Sequence, residues 1–73
     1  MDYNTKYKIH SDLEDLKQRA YKLHLYLTKK MLDVKGGSDE FNELVRLQIF
    51  VSKIEDTIDS NEYSKEPEVP EVK

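Results

Sequence analysis

Apolar side chains recur at alternating steps of four and three residues along the first long segment of the chain. They are Ile9, Leu13, Leu16, Ala20, Leu23 and Leu27. This heptad period keeps one stripe of a helix facing a partner helix, whereas a strand would alternate every second residue. The pattern therefore predicts an α-helix with an apolar seam.

The start of this helix has two interpretations. Ser11 and Glu14 have the spacing of a capping box, which favours a helix over residues 11–35. Asn4 or Thr5 could cap earlier, because nothing in the sequence forbids a helix through residue 10. Residues 1–10 are accordingly predicted to be an N-terminal arm or an extra helical turn.

The second segment repeats the pattern after a glycine pair. Gly36 and Gly37 predict a turn over residues 36–38, with Gly36 in the left-handed conformation that closes a helix. Ser38 or Asp39 can cap a second helix over 39–60. Its seam consists of Leu44, Leu47, Val51, Ile54 and Ile58. The predicted fold is all-α, an antiparallel two-helix hairpin.

Both helices carry apolar residues outside their seams. These predicted interface residues are Tyr21, Leu25, Tyr26, Leu32, Phe41, Val45, Ile49 and Phe50. A hairpin uses one stripe per helix, so the surplus predicts a second interface, and a homodimer forming a four-helix bundle would bury it. The alternative is that these side chains only wrap a small core.

Length and charge support this picture. The chain has 73 residues and no cysteine, so it forms one small domain without a disulfide or cysteine-based zinc site, and association with a partner is the remaining means of stabilisation. Residues 1–35 have a net charge of +3 and residues 36–73 of −6, which favours antiparallel pairing of the two halves. With no membrane-length apolar run and no signal-peptide pattern at the start, a soluble cytoplasmic protein is expected.

The last segment differs in composition from the helices. Residues 62–73 contain both prolines in a repeated Pro-Glu-Val pattern, which predicts a disordered, extended acidic tail. Such a tail serves either as an arm that docks on a basic partner or only to increase solubility.

The sequence contains few candidate catalytic or metal-ligating residues, so we expect a protein that is not an enzyme and that binds no cofactor and no metal. His10 and His24 would lie about 21 Å apart along one helix, too far to share an ion. The glycine pair follows no strand and lacks the residues of a phosphate loop. A pI near 5.3 opposes direct nucleic-acid binding. An acidic surface can instead imitate nucleic-acid phosphates, and the candidate partner-binding residues are Glu55, Asp56, Asp59 and Glu62.

In size, acidity and Lys/Ile/Tyr-rich composition the chain resembles small early proteins of phages that infect low-GC Gram-positive bacteria, a group that includes inhibitors of the host DNA sliding clamp. Gln48-Ile49-Phe50 is similar to part of the Gln-Leu-x-Leu-Phe clamp-binding peptides, although those bind as extended segments and this stretch falls within a predicted helix. The resemblance implies an inhibitor or modulator of a host protein, with the DNA replication machinery as a candidate target. The alternative function is a structural assembly or scaffold subunit.

Overall fold

The computed structural model describes residues 1–69 and contains two α-helices joined by a short turn. Helix α1 spans Tyr3–Asp33 and helix α2 spans Asp39–Asp59, followed by a 3₁₀ helix over Glu62–Ser64. No strand occurs in the described part of the chain. The two helices are antiparallel, because Thr28, late in α1, contacts Gln48, whereas Lys17, earlier in α1, contacts Asp59 at the end of α2. The predicted all-α helical hairpin is therefore confirmed.

Helix α1 begins eight residues before the favoured start at Ser11. Asp2 is its N-cap, and its carboxylate accepts a hydrogen bond of 2.8 Å from the backbone amide of Thr5. An aspartate in this position satisfies an amide that would otherwise lack a partner, so the helix does not need the Ser11 capping box. The Tyr3 and Tyr7 rings, one turn apart, lie 6.0 Å from each other and add contacts along the first turns.

Protonation of Asp2 is expected to loosen this first turn. Hydrogen bonds from the Thr5 side chain and then from its amide hold the pKa of Asp2 below the ordinary 3.8. Because the folded pKa is lowered, the stabilisation is present above pH 3.8 and is lost as the pH falls through the lower folded value. An NMR titration should place the midpoint of the Thr5 amide shift below 3.8. In Asp2→Asn, whose side chain caps without titrating, this shift should not occur, and a wild-type midpoint at or above the ordinary value would contradict the capping role.

The turn between the helices follows the predicted plan with one change of residue. Gly37, rather than Gly36, has a positive φ of 82°, a conformation that side-chain-bearing residues rarely adopt. Ser38 is the N-cap of α2, and its hydroxyl accepts a hydrogen bond from the amide of Phe41 and donates one to the carbonyl of Lys35. The serine therefore joins the end of the turn to the first turn of α2.

The core is small and uses only part of the predicted seams. Ala20, Leu27, Val51 and Ile58 are buried, and Leu44 packs partly buried against them. Four other predicted seam residues remain 39–54% exposed; they are Leu16, Leu23, Leu47 and Ile54. Polar residues occupy part of the interhelical line in their place, namely Lys17, His24, Gln48 and Glu55. The helices thus meet along a stripe rotated away from the most apolar one.

The segment after α2 continues in the same direction and packs against the first turns of α1. Asn61 caps the 3₁₀ helix by accepting a hydrogen bond from the amide of Tyr63. A ring nitrogen of His10 lies 3.1 Å from the carbonyl oxygen of Tyr63. The prediction of an extended tail is wrong for Glu62–Ser64, because this cap and contact with α1 stabilise a turn of helix. Residues 65–69 have no regular structure, and residues 70–73 of the predicted tail lie outside the described residues.

Candidate functional site

Cross-helix polar contacts line one side of the interhelical seam. The ammonium of Lys17 lies 2.5 Å from the Asp59 carboxylate, and Gln48 donates a 2.6 Å hydrogen bond to the Thr28 hydroxyl. The hydrogen bond with Asp59, together with its charge, holds the pKa of Lys17 above 10.5. Because both ionic groups are largely in solvent, this pair fixes the register of the helices more than it stabilises them.

A second ionisable pair lies closer to the apolar core. The His24 Nδ1 and Glu55 Oε1 atoms are buried and 3.6 Å apart, and neither makes a hydrogen bond to another protein atom. The two side chains retain 33% and 21% of their exposure. His24, which the sequence places beside the seam, thus faces α2 directly. A polar pair that lacks hydrogen bonds contributes little to stability.

The opposite side of the seam is apolar. In a helix that turns about 100° per residue, Leu23 lies about 60° from Ala20 on the side away from Lys17. The same geometry places Ile54 about 60° from Val51 on the side away from Gln48. Since Lys17 and Gln48 mark a common side of the hairpin, Leu23 and Ile54 share the other side. We call this surface the leucine face; its residues are Leu16, Leu23, Leu47, Phe50 and Ile54, all 39–54% exposed.

The eight predicted interface residues do not form one surface. Those on the side of the polar contacts are Tyr21, Leu25, Leu32, Phe41 and Val45, of which Phe41 and Val45 are half-buried. Phe50 belongs to the leucine face, and Tyr26 lies near its edge with the Lys30 ammonium 5.7 Å from its ring. Ile49 lies at the outer edge of α2, in a shallow depression that it shares with Phe50 and Ile54. We call the surface of Tyr21, Leu25, Leu32 and Val45 the mixed face. The name reflects its two kinds of residue, because acidic residues extend this apolar surface towards the end of the hairpin opposite the turn.

The four predicted partner-binding acids differ in their surroundings. Glu55 is half-buried against His24, and Asp59 is paired with Lys17. Asp56 and Glu62 are exposed, and among the described residues neither lies in an ion pair. Of the four, only these two carboxylates are therefore both exposed and outside the ion pairs of the described residues.

Sequence reasoning did not predict the exposed surface formed by Leu16, Leu23, Leu47 and Ile54, since it assigned them to the intramolecular seam. The signal that distinguishes them is the polar line Lys17, His24, Gln48 and Glu55, whose heptad spacing marks the contact side. The apolar pattern by itself does not reveal it.

Residues 1–69 form few pockets or side-chain clusters that could support catalysis or metal binding. A wide depression between the start of α1 and the C-terminal segment is lined by Tyr3, Lys6, Tyr63 and neighbouring residues, and it is open to solvent. No group of three or more metal-ligating side chains converges within this range. Neither described α-helix combines the length and apolar character needed to span a membrane.

Comparison with known proteins returned no matching family model, no matching curated protein and no matching solved structure. The surfaces of the hairpin therefore have to be interpreted from their own chemistry.

Proposed function

We propose that the chain is a non-enzymatic protein–protein interaction module that acts as a homodimer and binds a second protein. The observation that supports this is the distribution of large apolar side chains. Only four apolar residues of the described chain are buried between the helices, whereas half-exposed leucine, isoleucine and aromatic residues cover two sides of the hairpin. Exposed apolar patches of this extent mark interaction sites, and two separate sides provide two interfaces.

The mixed face is the proposed site for the second protein. It combines Leu25 and Tyr21 on α1 with the exposed carboxylate of Asp56 on α2, so one side of the hairpin offers both apolar and acidic groups. A partner with an apolar patch bordered by basic residues fits this chemistry. In its sharpest form the module is a phage-type inhibitor or modulator of a host protein, and imitation of nucleic-acid phosphates would depend on Asp56 and Glu62.

The alternative function is a structural assembly subunit without inhibitory activity. Both functions need the leucine face, but only the first needs the mixed face. The two functions are therefore separated by variants of the mixed face.

Binding by the mixed face is tested with immobilised protein and a bacterial extract. Wild type should retain a protein that Leu25→Glu/Val45→Glu does not retain, because two charges would be buried without partners. The same partner, once purified, should bind Asp56→Lys/Glu62→Lys at least tenfold more weakly and with a smaller dependence on salt. Ile49→Gln, at the outer edge of α2 and 53% exposed in the wild type, lies outside the mixed face and is the matched control for general changes of the surface.

Retention of nothing beyond further copies of the chain would contradict partner binding and support the assembly function. Equal binding by the wild type and the Leu25→Glu/Val45→Glu variant, with helical content unchanged by circular dichroism, would contradict the mixed face as the site.

A further inference from the structure

We infer that the leucine face binds the leucine face of a second copy, with α1 of each copy against α2 of the other and the two turns at the same end of a four-helix bundle. This rests on the homodimer of the proposed function and specifies its interface and orientation. Three features of the hairpin support it. They are the positions of the apolar residues along the length of the hairpin, the size of the surface and the charges of the two helices.

Apolar residues of the two helices lie at matching levels along the hairpin. Thr28 contacts Gln48 and Lys17 contacts Asp59, so Leu23 lies at about the level of Ile54. When two such faces meet with their turns together, Leu23 of each copy lies beside Ile54 of the other. The two copies then form a continuous apolar layer of four side chains, like those that fill the core of a four-helix bundle.

The side of the hairpin that carries the leucine face is large enough for a specific interface. Along the length of α2, about 32 Å, the hairpin presents two helices with a combined width of roughly 20 Å, and hence a footprint of about 640 Å². Standard protein interfaces bury about 800 Å² on each partner. The overhanging first turns of α1 and the long side chains at the edges add to the footprint, so a dimer of this geometry reaches the usual range.

Charge identifies a second copy as the occupant and selects its orientation. Between Tyr3 and Asp33, α1 carries seven basic and four acidic residues, a net charge of +3; between Asp39 and Asp59, α2 carries two basic and six acidic residues, a net charge of −4. With the turns together, each basic helix lies beside the acidic helix of the other copy. With the turns apart, basic helices would lie side by side, as would acidic helices, and like charges would repel.

The edges of the leucine face agree with this arrangement. Lys30 on α1 and Glu43 on α2 both border the face near the turn, each about 70° from the buried stripe of its helix on the leucine side. With the turns together, Lys30 of one copy lies near Glu43 of the other. With the turns apart, α1 would face α1 and α2 would face α2, so the two-fold axis would have to pass both midway between Leu16 and Leu23 and midway between Leu47 and Ile54. These two midpoints lie about 10 Å apart along the hairpin.

A spin label at the turn measures the orientation directly. The chain has no cysteine, and Gly36 is exposed with no atom within 4 Å of the position that a Cβ would take, so Gly36→Cys gives one labelled site per copy. Pulsed dipolar spectroscopy should give a single distance of about 15 to 25 Å, the width of a bundle. Turns at opposite ends would give about 40 Å, and that result would overturn the inferred orientation while leaving the homodimer intact.

Sedimentation of matched variants tests the face. At micromolar concentration, sedimentation of the wild type is expected to give a molecular mass twice the 8.7 kDa of one chain. Leu23→Glu/Ile54→Glu should sediment as a monomer with helical circular dichroism retained, and Leu32→Gln should remain dimeric. If the leucine-face variant unfolds, the milder Leu23→Gln/Ile54→Gln should weaken the dimer at least tenfold. If folded leucine-face variants remained dimeric, the assignment of the leucine face as the interface would be wrong. If the wild type were monomeric, the homodimer itself would be contradicted.

Discussion

Leu27→Ala is expected to unfold most of the protein at 25 °C. Leu27 is 5% exposed and lies at the centre of the core with Ala20 and Val51. Truncation of a buried leucine to alanine costs about 2 to 5 kcal/mol, because apolar contacts are lost and a cavity remains. A single core in a chain of this length supplies about 3 to 5 kcal/mol, so the loss is comparable to the whole free energy of unfolding. Circular dichroism at 222 nm with a urea titration measures the change.

Leu32→Ala is the matched control for this prediction. Leu32 is a leucine of the same helix but is 84% exposed, so its truncation should change the free energy of unfolding by less than about 0.5 kcal/mol. If both variants lost the same stability, the assignment of the core to the Ala20–Leu27 stripe would be wrong.

His24→Leu/Glu55→Leu is expected to stabilise the hairpin. The pair occupies the contact line between the helices, and its two facing atoms make no hydrogen bond to the protein. Replacement of a buried polar pair by apolar residues of similar size is often neutral or stabilising, and we expect a gain of about 1 kcal/mol here because the facing atoms lack hydrogen bonds while both side chains are partly exposed. The urea midpoint should rise with an unchanged slope.

The single variants complete a double-mutant cycle. His24→Leu alone leaves a carboxylate facing leucine, which should lower the free energy of unfolding by about 1 to 3 kcal/mol relative to the double variant. A double variant less stable than wild type, with single losses that sum to more than the loss in the double variant, would mean that the pair is a stabilising interaction after all.

Much of the fold could be predicted because its signals are local. The apolar period of α1 and α2, the glycine pair and the Ser38 cap each determine nearby backbone, and the hairpin follows from them. The favoured start of α1 at residue 11 lies too late, and the alternative of an extra helical turn in residues 1–10 is nearer the structure. Asp2 competes with the plausible cap at Ser11, and local sequence does not rank the two. The 3₁₀ turn at Glu62–Ser64 depends on contact with His10, more than fifty residues away.

The candidate site was harder to predict because it depends on the rotation of one helix against the other. Each helix has more than one apolar stripe, and a rotation of about 60° decides whether Leu23 or His24 lies nearer the partner helix. Cross-helix contacts such as Lys17–Asp59 and Thr28–Gln48 fix that rotation. They join residues 20 or more positions apart, which a single sequence without a structure does not pair.

Because α2 is antiparallel to α1 and the chain after it continues along α1, Tyr3 and Val69 lie at one pole, with Gly36 and Gly37 at the other. Any tag, fluorophore or fused domain, whether attached before Tyr3 or after Val69, therefore departs from the pole opposite the glycines. Joining Val69 to Tyr3 through a linker and opening the chain at Gly36–Gly37 would give a circular permutant in which residues 60–69 become part of the connection between the helices.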